Sequence, residues 1–235
     1  HYETRGQIAL LSIDNPPVNP LSSGVRQGLY DGVTKALDDD SIKAIVITGM
    51  HRAFIAGADI SEFGAAATQG VSLGDAMKKM ENSTKPIIAA INGTAFGGGL
   101  EVALCCDYRI ASPTAPLGLP EVKLGLLPGA GGTQRLPRLI GAEAAIQAIV
   151  SGAPIMAPAA LKLGIVDRVA EGNIVDAGIA YAEEIVAAGS ATRKIRDLED
   201  VISQDRGNTA VFEKARAQLN KTHRNQFAPE QIVKC

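Results

Sequence analysis

The chain has 235 residues, of which 46% are hydrophobic and 20% charged, so it is long enough to bury one sizeable apolar core. A net charge of −2 gives no electrostatic reason to expect a nucleic acid or an anionic membrane as partner. Only 4% of the residues are aromatic and Trp is absent, which argues against the base-stacking surface of a single-strand binder.

The N-terminal half alternates short β-branched runs with helical patterns. Strands are predicted at residues 8–13, 44–48, 86–91 and 108–111, each bounded by Gly, Pro, Asn or Asp. After residue 91, three glycines lead into a predicted helix over residues 100–106. This alternation predicts an α/β fold with much parallel strand pairing.

The first helix has the clearest boundaries. Ser22 or Ser23 can cap it, and the acidic run 38–40 follows its end. Its apolar side chains recur every fourth residue: Val25, Leu29, Val33 and Leu37. The helix therefore connects the first two strands.

Beyond Gly141 the pattern becomes mainly helical. Helices are predicted at residues 142–150, 157–163, 176–188 and 209–222, with one further strand at 165–169. Charged residues become dense at 192–200. We therefore place a boundary near Ser190, between a catalytic core of residues 1–190 and a C-terminal helical segment of residues 191–235.

The cysteine and histidine spacings indicate neither a disulfide framework nor a metal site. The cysteines are odd in number and form no CxxC pair, which fits a reducing compartment: Cys105, Cys106 and Cys235. A buried structural thiol is favoured for Cys105 over a nucleophile, since no histidine lies near it in sequence. His51 is interpreted as a loop residue, with a ligand contact as the alternative. We expect a cytoplasmic protein or one of an organelle lumen such as a peroxisome or mitochondrion.

Two glutamates stand in glycine-rich, apolar surroundings. Glu101 follows three glycines, and Glu121 lies in the segment GLPEVKLG, residues 118–125. Carboxylates are rarely buried without a partner or a task, so a shared site would suit acid/base chemistry on a polarised carbonyl. The alternatives are a first-turn acid that interacts with the helix dipole for Glu101, and a surface residue paired with Lys123 for Glu121.

The glycine-rich segments GGG (97–99) and GAGG (129–132) do not fit the nucleotide-binding motifs. A dinucleotide fingerprint needs Gly or Ala at its sixth position, but the two segments have Val102 and Gln134 there. Glycines 97–99 instead predict a tight strand-to-helix turn. Its bare N–H groups could bind an oxygen that gains negative charge, and close helix-to-strand packing is the alternative.

Three motifs in register carry a family resemblance. They are FIAGADI (54–60), AAINGTAFGGGLE (89–101), and GLPE (118–121) continued by LLPGAGGTQRL (126–136). In order, spacing and content they resemble the successive signatures of the crotonase superfamily, the enoyl-CoA hydratases and isomerases. The resemblance runs from about Ile8 to Ala170. It implies an α/β fold, a crotonase-like spiral of repeated ββα units with a helical C-terminal region.

Two further segments narrow the resemblance. NPPVNP (15–20) and FAPE (227–230) are similar to the N-terminal hydratase/isomerase part of multifunctional fatty-acid-oxidation enzymes, in which a dehydrogenase part follows. The expected partners are therefore an acyl-CoA thioester substrate and either further copies, as a homotrimer or hexamer, or a covalently continuing dehydrogenase part. Neither a nucleic acid nor a membrane is expected as partner. The resemblance implies no separate cofactor, since coenzyme A is part of the substrate.

The resemblance also implies roles by position. The N–H groups of Ala58 and Gly98 are expected to hold the thioester oxygen, and Glu101 and Glu121 to form the acid/base pair. Gly129 is expected to help orient the second carboxylate. Three further positions are expected to contact the CoA substrate: Ala56, Asp59 and Ile60.

The implied reaction is addition of water across C2=C3 of a trans-2-enoyl-CoA, which gives a 3-hydroxyacyl-CoA. Many hydratases have Lys where this chain has Ser61, so the cation for the CoA phosphates is unassigned, with Arg52 as a guess. Residues 63–80 are expected to shape the acyl pocket.

Two other functions stay open. A Δ3,Δ2-enoyl-CoA isomerase needs only one glutamate to move a proton between C2 and C4, and multifunctional relatives perform both reactions in one site. A non-catalytic acyl-CoA-binding relative would be expected to lose one or both carboxylates, whereas this chain keeps Glu101 and Glu121.

Overall fold

Ten strands form two sheets in the computed structural model, which describes residues 1–62, 70–189, 191–224 and 226–235. The larger sheet has the order β1-β2-β3-β5-β7-β10, with strands Tyr2–Arg5, Ile8–Ile13, Ala44–Gly49, Ile87–Ile91, Tyr108–Ala111 and Arg168–Val169. The smaller sheet has the order β4-β6-β8-β9, with strands Ala53–Ile55, Thr94–Phe96, Pro116–Gly118 and Ile155–Met156.

Nine α-helices accompany these strands in the described ranges. They are α1 Ser23–Asp38, α2 Leu73–Glu81, α3 Gly98–Cys105, α4 Gly132–Ile140, α5 Ala142–Ser151, α6 Ala157–Leu163, α7 Ile174–Ala187, α8 Thr209–Thr222 and α9 Phe227–Lys234. None of the helices in the described part of the chain is long and apolar enough to span a bilayer.

A ββα unit repeats along the chain. In β3/β4, β5/β6 and β7/β8, the first strand joins the larger sheet and the second joins the smaller one, in parallel with the preceding repeat. The helices α2, α3 and α4 follow the three pairs in order. The predicted α/β spiral of ββα units is thereby confirmed.

The inner strands of the larger sheet are buried on both faces. Val46 and Ile88 face α7 on one side, while Ile45 and Ile87 belong to the main core on the other. Parallel strands covered on both faces read as continuous apolar runs, which explains why β3 and β5 were predictable.

Most predicted elements are present with shifted ends, and one is largely absent. Residues 165–169 were expected to form a strand, but only Arg168–Val169 does. Ile165 instead donates its N–H to the carbonyl of Ala160, at 2.8 Å, and so closes the C-terminus of α6.

Glycines let α3 begin directly against the smaller sheet. Gly97 has φ +54°, a conformation that L side chains rarely adopt. A Cβ on Gly99 would overlap the carbonyl oxygen of Ile55 in β4. The helix N-terminus therefore approaches the strand closely, which places Gly98 and Glu101 at the edge of the smaller sheet.

The segment from residue 191 onward packs on the same core. Ile195, Leu219, Ile232 and Val233 belong to the main apolar cluster. Ser190, where the boundary was placed, lies outside the described residues. The division into residues 1–190 and 191–235 stays a prediction.

Candidate active site

A cavity of about 520 Å³ lies where the N-terminus of α3, the helix α2 and the segment 121–135 meet. Five predicted site residues line it: Ala58, Gly98, Glu101, Glu121 and Gly129. Apolar side chains complete the wall: Leu73, Met77, Leu126 and Leu127. Of the expected acyl-pocket region 63–80, residues 63–69 lie outside the described residues, while Leu73 and Met77 contribute to the wall.

Glu101 is buried in the first turn of α3, with 2% of the residue exposed. Its Oε1 accepts hydrogen bonds from the N–H groups of Ala130 and Gly132, both at 2.8 Å. Burial raises the pKa of this carboxyl, and the two amides together with the positive charge of Arg135 act in the opposite direction. The side chain is therefore held in one orientation from the loop before α4.

Glu121 lies in the 3₁₀ turn Pro120–Leu124 and is half-buried. Its Oε1 lies close to Gly97, since a Cβ added to Gly97 would be 3.2 Å from that oxygen. Its Oε2 is buried without a hydrogen-bond partner in the described part of the chain. Burial, backed by the nearby charge of Glu101, raises the pKa of Glu121 to about 7. A carboxyl in this state can both hold and release a proton near neutral pH.

Two main-chain amides are available at the same cavity. Gly98 is the first residue of α3, so its N–H has no partner within the helix. Ala58 follows Gly57, whose carbonyl accepts the N–H of Leu21 at 2.9 Å. Among the described residues, neither Ala58 nor Gly98 donates its N–H to another group. Both donors are thus free to bind a ligand oxygen.

The expected CoA-binding positions lie in the strand end and turn that precede residue 63. The N–H of Ala56 donates to the carbonyl of Val18 at 3.1 Å. The Asp59 carboxylate accepts hydrogen bonds from the N–H and hydroxyl groups of Ser61, at 3.0 and 2.6 Å. Ile60 begins the 3₁₀ turn Ile60–Glu62. Arg52 is exposed in the turn before β4.

Sequence reasoning missed the groups that hold Glu101. Gly129 lines the cavity, but within the described ranges its N–H does not reach Glu121; the neighbouring amides of Ala130 and Gly132 bind Glu101 instead. The motif PGAGGTQR marked the loop, yet a backbone donor leaves no side-chain signature that would identify it. Arg135 and Glu81, an ion pair at 2.8 Å in the same wall, were also missed.

Two glutamate carboxyls and two main-chain amides that have no acceptor among the described residues surround one apolar cavity, an arrangement that suits acid/base chemistry on a polarised carbonyl compound. The sequence profile of the Enoyl-CoA hydratase/isomerase family matches residues 3–230, and the chain belongs to this family, part of the crotonase superfamily. The resemblance proposed from the motifs is thereby confirmed.

Several curated relatives are similar over nearly the whole chain. The chain is 43% identical to the peroxisomal bifunctional enzyme of Homo sapiens over 229 residues, 97% of this chain and 31% of that protein. It is 46% identical to a probable enoyl-CoA hydratase of Bacillus subtilis (strain 168), over 68% of this chain and 64% of the relative. The chain thus spans about a third of the length of the bifunctional relatives.

Solved structures share the fold over the full length. The enoyl-CoA hydratase of Bacillus anthracis superposes with a TM-score of 0.75, at 29% identity, and covers 98% of both chains. DspI of Pseudomonas aeruginosa superposes with a TM-score of 0.73, at 34% identity, over 94% of both chains.

Proposed function

We propose that this chain is an enoyl-CoA hydratase of fatty acid β-oxidation, which adds water across C2=C3 of a trans-2-enoyl-CoA. The observation that carries the proposal is the meeting of Glu101, Glu121 and the free amides of Ala58 and Gly98 in one cavity. Family membership supports the substrate class, because the relatives that share most of this chain are described as hydratases or bifunctional enzymes. The proposed reaction uses no separate cofactor, since coenzyme A is part of the substrate.

The two amides would bind the thioester oxygen. As water attacks C3, electron density moves through C2 to that oxygen, and the N–H groups of Ala58 and Gly98 stabilise the developing enolate. Gly98 adds the positive end of the α3 dipole. One such donor is typically worth about 3 to 4 kcal/mol of transition-state stabilisation.

The two glutamates would manage the protons. Glu101 and Glu121 together hold the water, whose oxygen bonds to C3 while its proton passes to a carboxylate. Glu121 delivers a proton to C2, and the pair ends with the same number of protons as it began. The pKa of about 7 suits Glu121 to this exchange near neutral pH.

The proposal also covers the assembly and the cellular compartment of the enzyme. The chain is proposed to be the hydratase part of a longer multifunctional protein, since it spans 31% of the human bifunctional relative. A homotrimer or hexamer is the alternative assembly. The compartment is proposed to be a peroxisome or another of the expected locations, and the relatives include both peroxisomal and bacterial proteins.

The proposal is tested by following the loss of enoyl-thioester absorbance with crotonyl-CoA and longer enoyl-CoAs. Glu121→Gln and Glu101→Gln are each expected to lower kcat by about 10²- to 10⁴-fold, because each removes a proton-transfer group. Glu183→Gln, on the exposed side of α7, is the matched control with wild-type kcat expected.

A 3-enoyl-CoA in the same panel separates the alternatives. Conversion of that substrate at the wild-type site would add the isomerase activity to the proposal. Binding of the thioesters without turnover would instead identify an inert acyl-CoA-binding relative, and wild-type rates in both glutamine variants would overturn the assigned roles.

A further inference from the structure

Two charged side chains in the cavity wall have no part in the proposed reaction. Arg135 lies in the first turn of α4, and Glu81 is the last residue of α2. Their side chains are only 13% and 11% exposed, and the Arg135 Nε donates to the Glu81 Oε1 at 2.8 Å. A buried ion pair of this kind rarely adds net stability, which raises the question of what the pair does.

Arg135 is connected to Glu101 through one residue of the intervening loop. The Arg135 Nη1 donates to the carbonyl of Ala130 at 2.6 Å, and the N–H of Ala130 donates to the Glu101 carboxylate. That carbonyl lies along the chain between the two amides that bind Glu101, those of Ala130 and Gly132. The guanidinium therefore fixes the loop at the point from which Glu101 is held.

The loop is shaped to admit the guanidinium. Gly131 has φ +95°, and a Cβ at this position would overlap the Arg135 Nη1. The N–H of Arg135 also donates to the carbonyl of Gly131 at 2.9 Å. The backbone and the side chain of Arg135 thus both donate hydrogen bonds to the turn at residues 130–131.

Arg135 also supplies the positive charge near a buried carboxylate. The titratable groups around Glu101 and its cavity come from every element packed against it: Cys105 of α3, Glu121 of the 3₁₀ turn, Lys78 and Glu81 of α2, and Arg135 of α4. Burial raises the pKa of Glu101, the amides lower it, and Arg135 lowers it further. The negative charges of the neighbouring carboxylates act in the opposite direction, because they favour the neutral form of Glu101.

We propose that Arg135, oriented by Glu81, is a positioning residue that fixes the 130–132 loop and thereby the Glu101 carboxylate, so that Glu101 can accept the proton of the attacking water. This inference rests on the proposed hydratase function. The inference concerns Glu101 and not Glu121, because the contacts of the Arg135–Glu81 ion pair lead to Glu101.

The test is the pH dependence of kcat for crotonyl-CoA hydration. Arg135→Met is expected to lower kcat by about tenfold or more and to move the acid limb upward, because the lost charge no longer favours the carboxylate. Arg135→Lys keeps the charge but loses the fork that reaches both Glu81 and Ala130. Its acid limb should stay near that of the wild type while its kcat falls.

Two further variants complete the design. Glu81→Gln leaves the Arg135 charge but loosens its orientation, so kcat should fall without an upward move of the acid limb. Arg138→Met removes an arginine one turn later in the same helix, whose guanidinium donates to the carbonyl of Gln134 and, among the described residues, forms no ion pair; this variant should retain the wild-type profile.

The outcomes separate this inference from the proposed function. A folded Arg135→Met enzyme with an unmoved acid limb overturns the inference while hydratase activity stands. If the wild-type chain hydrates no enoyl-CoA, the proposed function fails, and carboxyl-carbon NMR titration of Glu101 in wild type and in the Arg135 variants still decides the inference. If Arg135→Met does not fold, an acid limb of Arg135→Lys displaced upward from that of the wild type contradicts the inference.

Discussion

Two groups of buried charges differ in how completely their polar atoms are paired. One is a network at the start of β7. The Asp107 Oδ2 accepts from the Ile87 N–H and the Lys194 Nζ, both at 2.8 Å, while its Oδ1 accepts from the Arg193 N–H at 2.6 Å. The bond from Ile87 ties this aspartate to β5, and the bonds from Arg193 and Lys194 tie it to the segment that begins at residue 191.

Arg109 completes the network from the same strand. It is fully buried and donates to the carbonyls of Ile165 and Cys106, both at 2.8 Å. Its Nη2 has no hydrogen bond within the described ranges but lies 3.8 Å from the Asp167 Oδ2. Opposite charges and carbonyls thus surround the guanidinium.

The candidate active-site cavity is arranged differently. The Glu121 Oε2 is buried and unpaired in the part of the chain that the structure describes, and no arginine or lysine forms an ion pair with Glu121 there. A buried polar atom without a partner costs free energy, so it persists where a ligand supplies the partner. The comparison indicates that the paired charges around Asp107 and Arg109 stabilise the fold, and the unpaired oxygen of Glu121 supports the proposed role of this carboxyl in proton transfer.

The largest expected effect on stability comes from Arg109→Met. The change leaves the carbonyls of Ile165 and Cys106 without this donor and removes the positive charge beside Asp167, so the free energy of unfolding should fall by about 3–5 kcal/mol, while kcat of the folded fraction is retained. Urea denaturation and enoyl-CoA turnover measure the two quantities. Arg168→Met, which removes an exposed ion pair with Glu184, should cost about 0–1 kcal/mol. Equal costs for the two variants would contradict the comparison.

A smaller stability effect with a large activity effect is expected for Gly97→Ala. The backbone of Gly97 is strained for any other residue, so the free energy of unfolding should fall by about 1–3 kcal/mol. The new Cβ would also displace the Glu121 carboxyl, so kcat should fall in the protein that remains folded. Gly28→Ala in α1, whose Cβ would meet nothing within 4 Å, should be neutral or stabilising and fully active.

The smallest effect concerns Glu121 itself. Its pKa is about 7 in the folded chain and 4.5 as an ordinary glutamate. Between pH 4.5 and pH 7, Glu121 keeps its proton in the folded state but has lost it in the unfolded state. The free energy of unfolding of the wild type therefore falls as the pH rises from 4.5 to 7. Glu121→Gln avoids this loss.

The inactive Glu121→Gln variant should therefore be more stable than wild type at pH 8. The difference should be on the order of 1 kcal/mol, because the carboxyl is partly solvated, and should vanish toward pH 4.5. Thermal denaturation across this pH range measures it, with Glu183→Gln as control. A constant difference at all pH values would show that ionisation of Glu121 is not its source.

Elements with a strong local pattern were predicted well. The helix α1 begins after Ser22, whose hydroxyl accepts from the Val25 N–H, as its position before the apolar period indicated. The strand β2 has the predicted bounds Ile8–Ile13. By contrast β4, β6 and β8 have three residues each, too few to show a period, so the smaller sheet was not predicted.

What the sequence by itself determined is the set of apolar runs that build the larger sheet, and the family motifs that single out Glu101 and Glu121. These signals are local: side-chain type and spacing along one segment are enough to carry them. Only the tertiary structure decided that the amides of Ala130 and Gly132 hold Glu101 and that Arg135 braces their loop against Glu81. Backbone donors are identical at every residue, so their contacts depend on which segments the fold brings together.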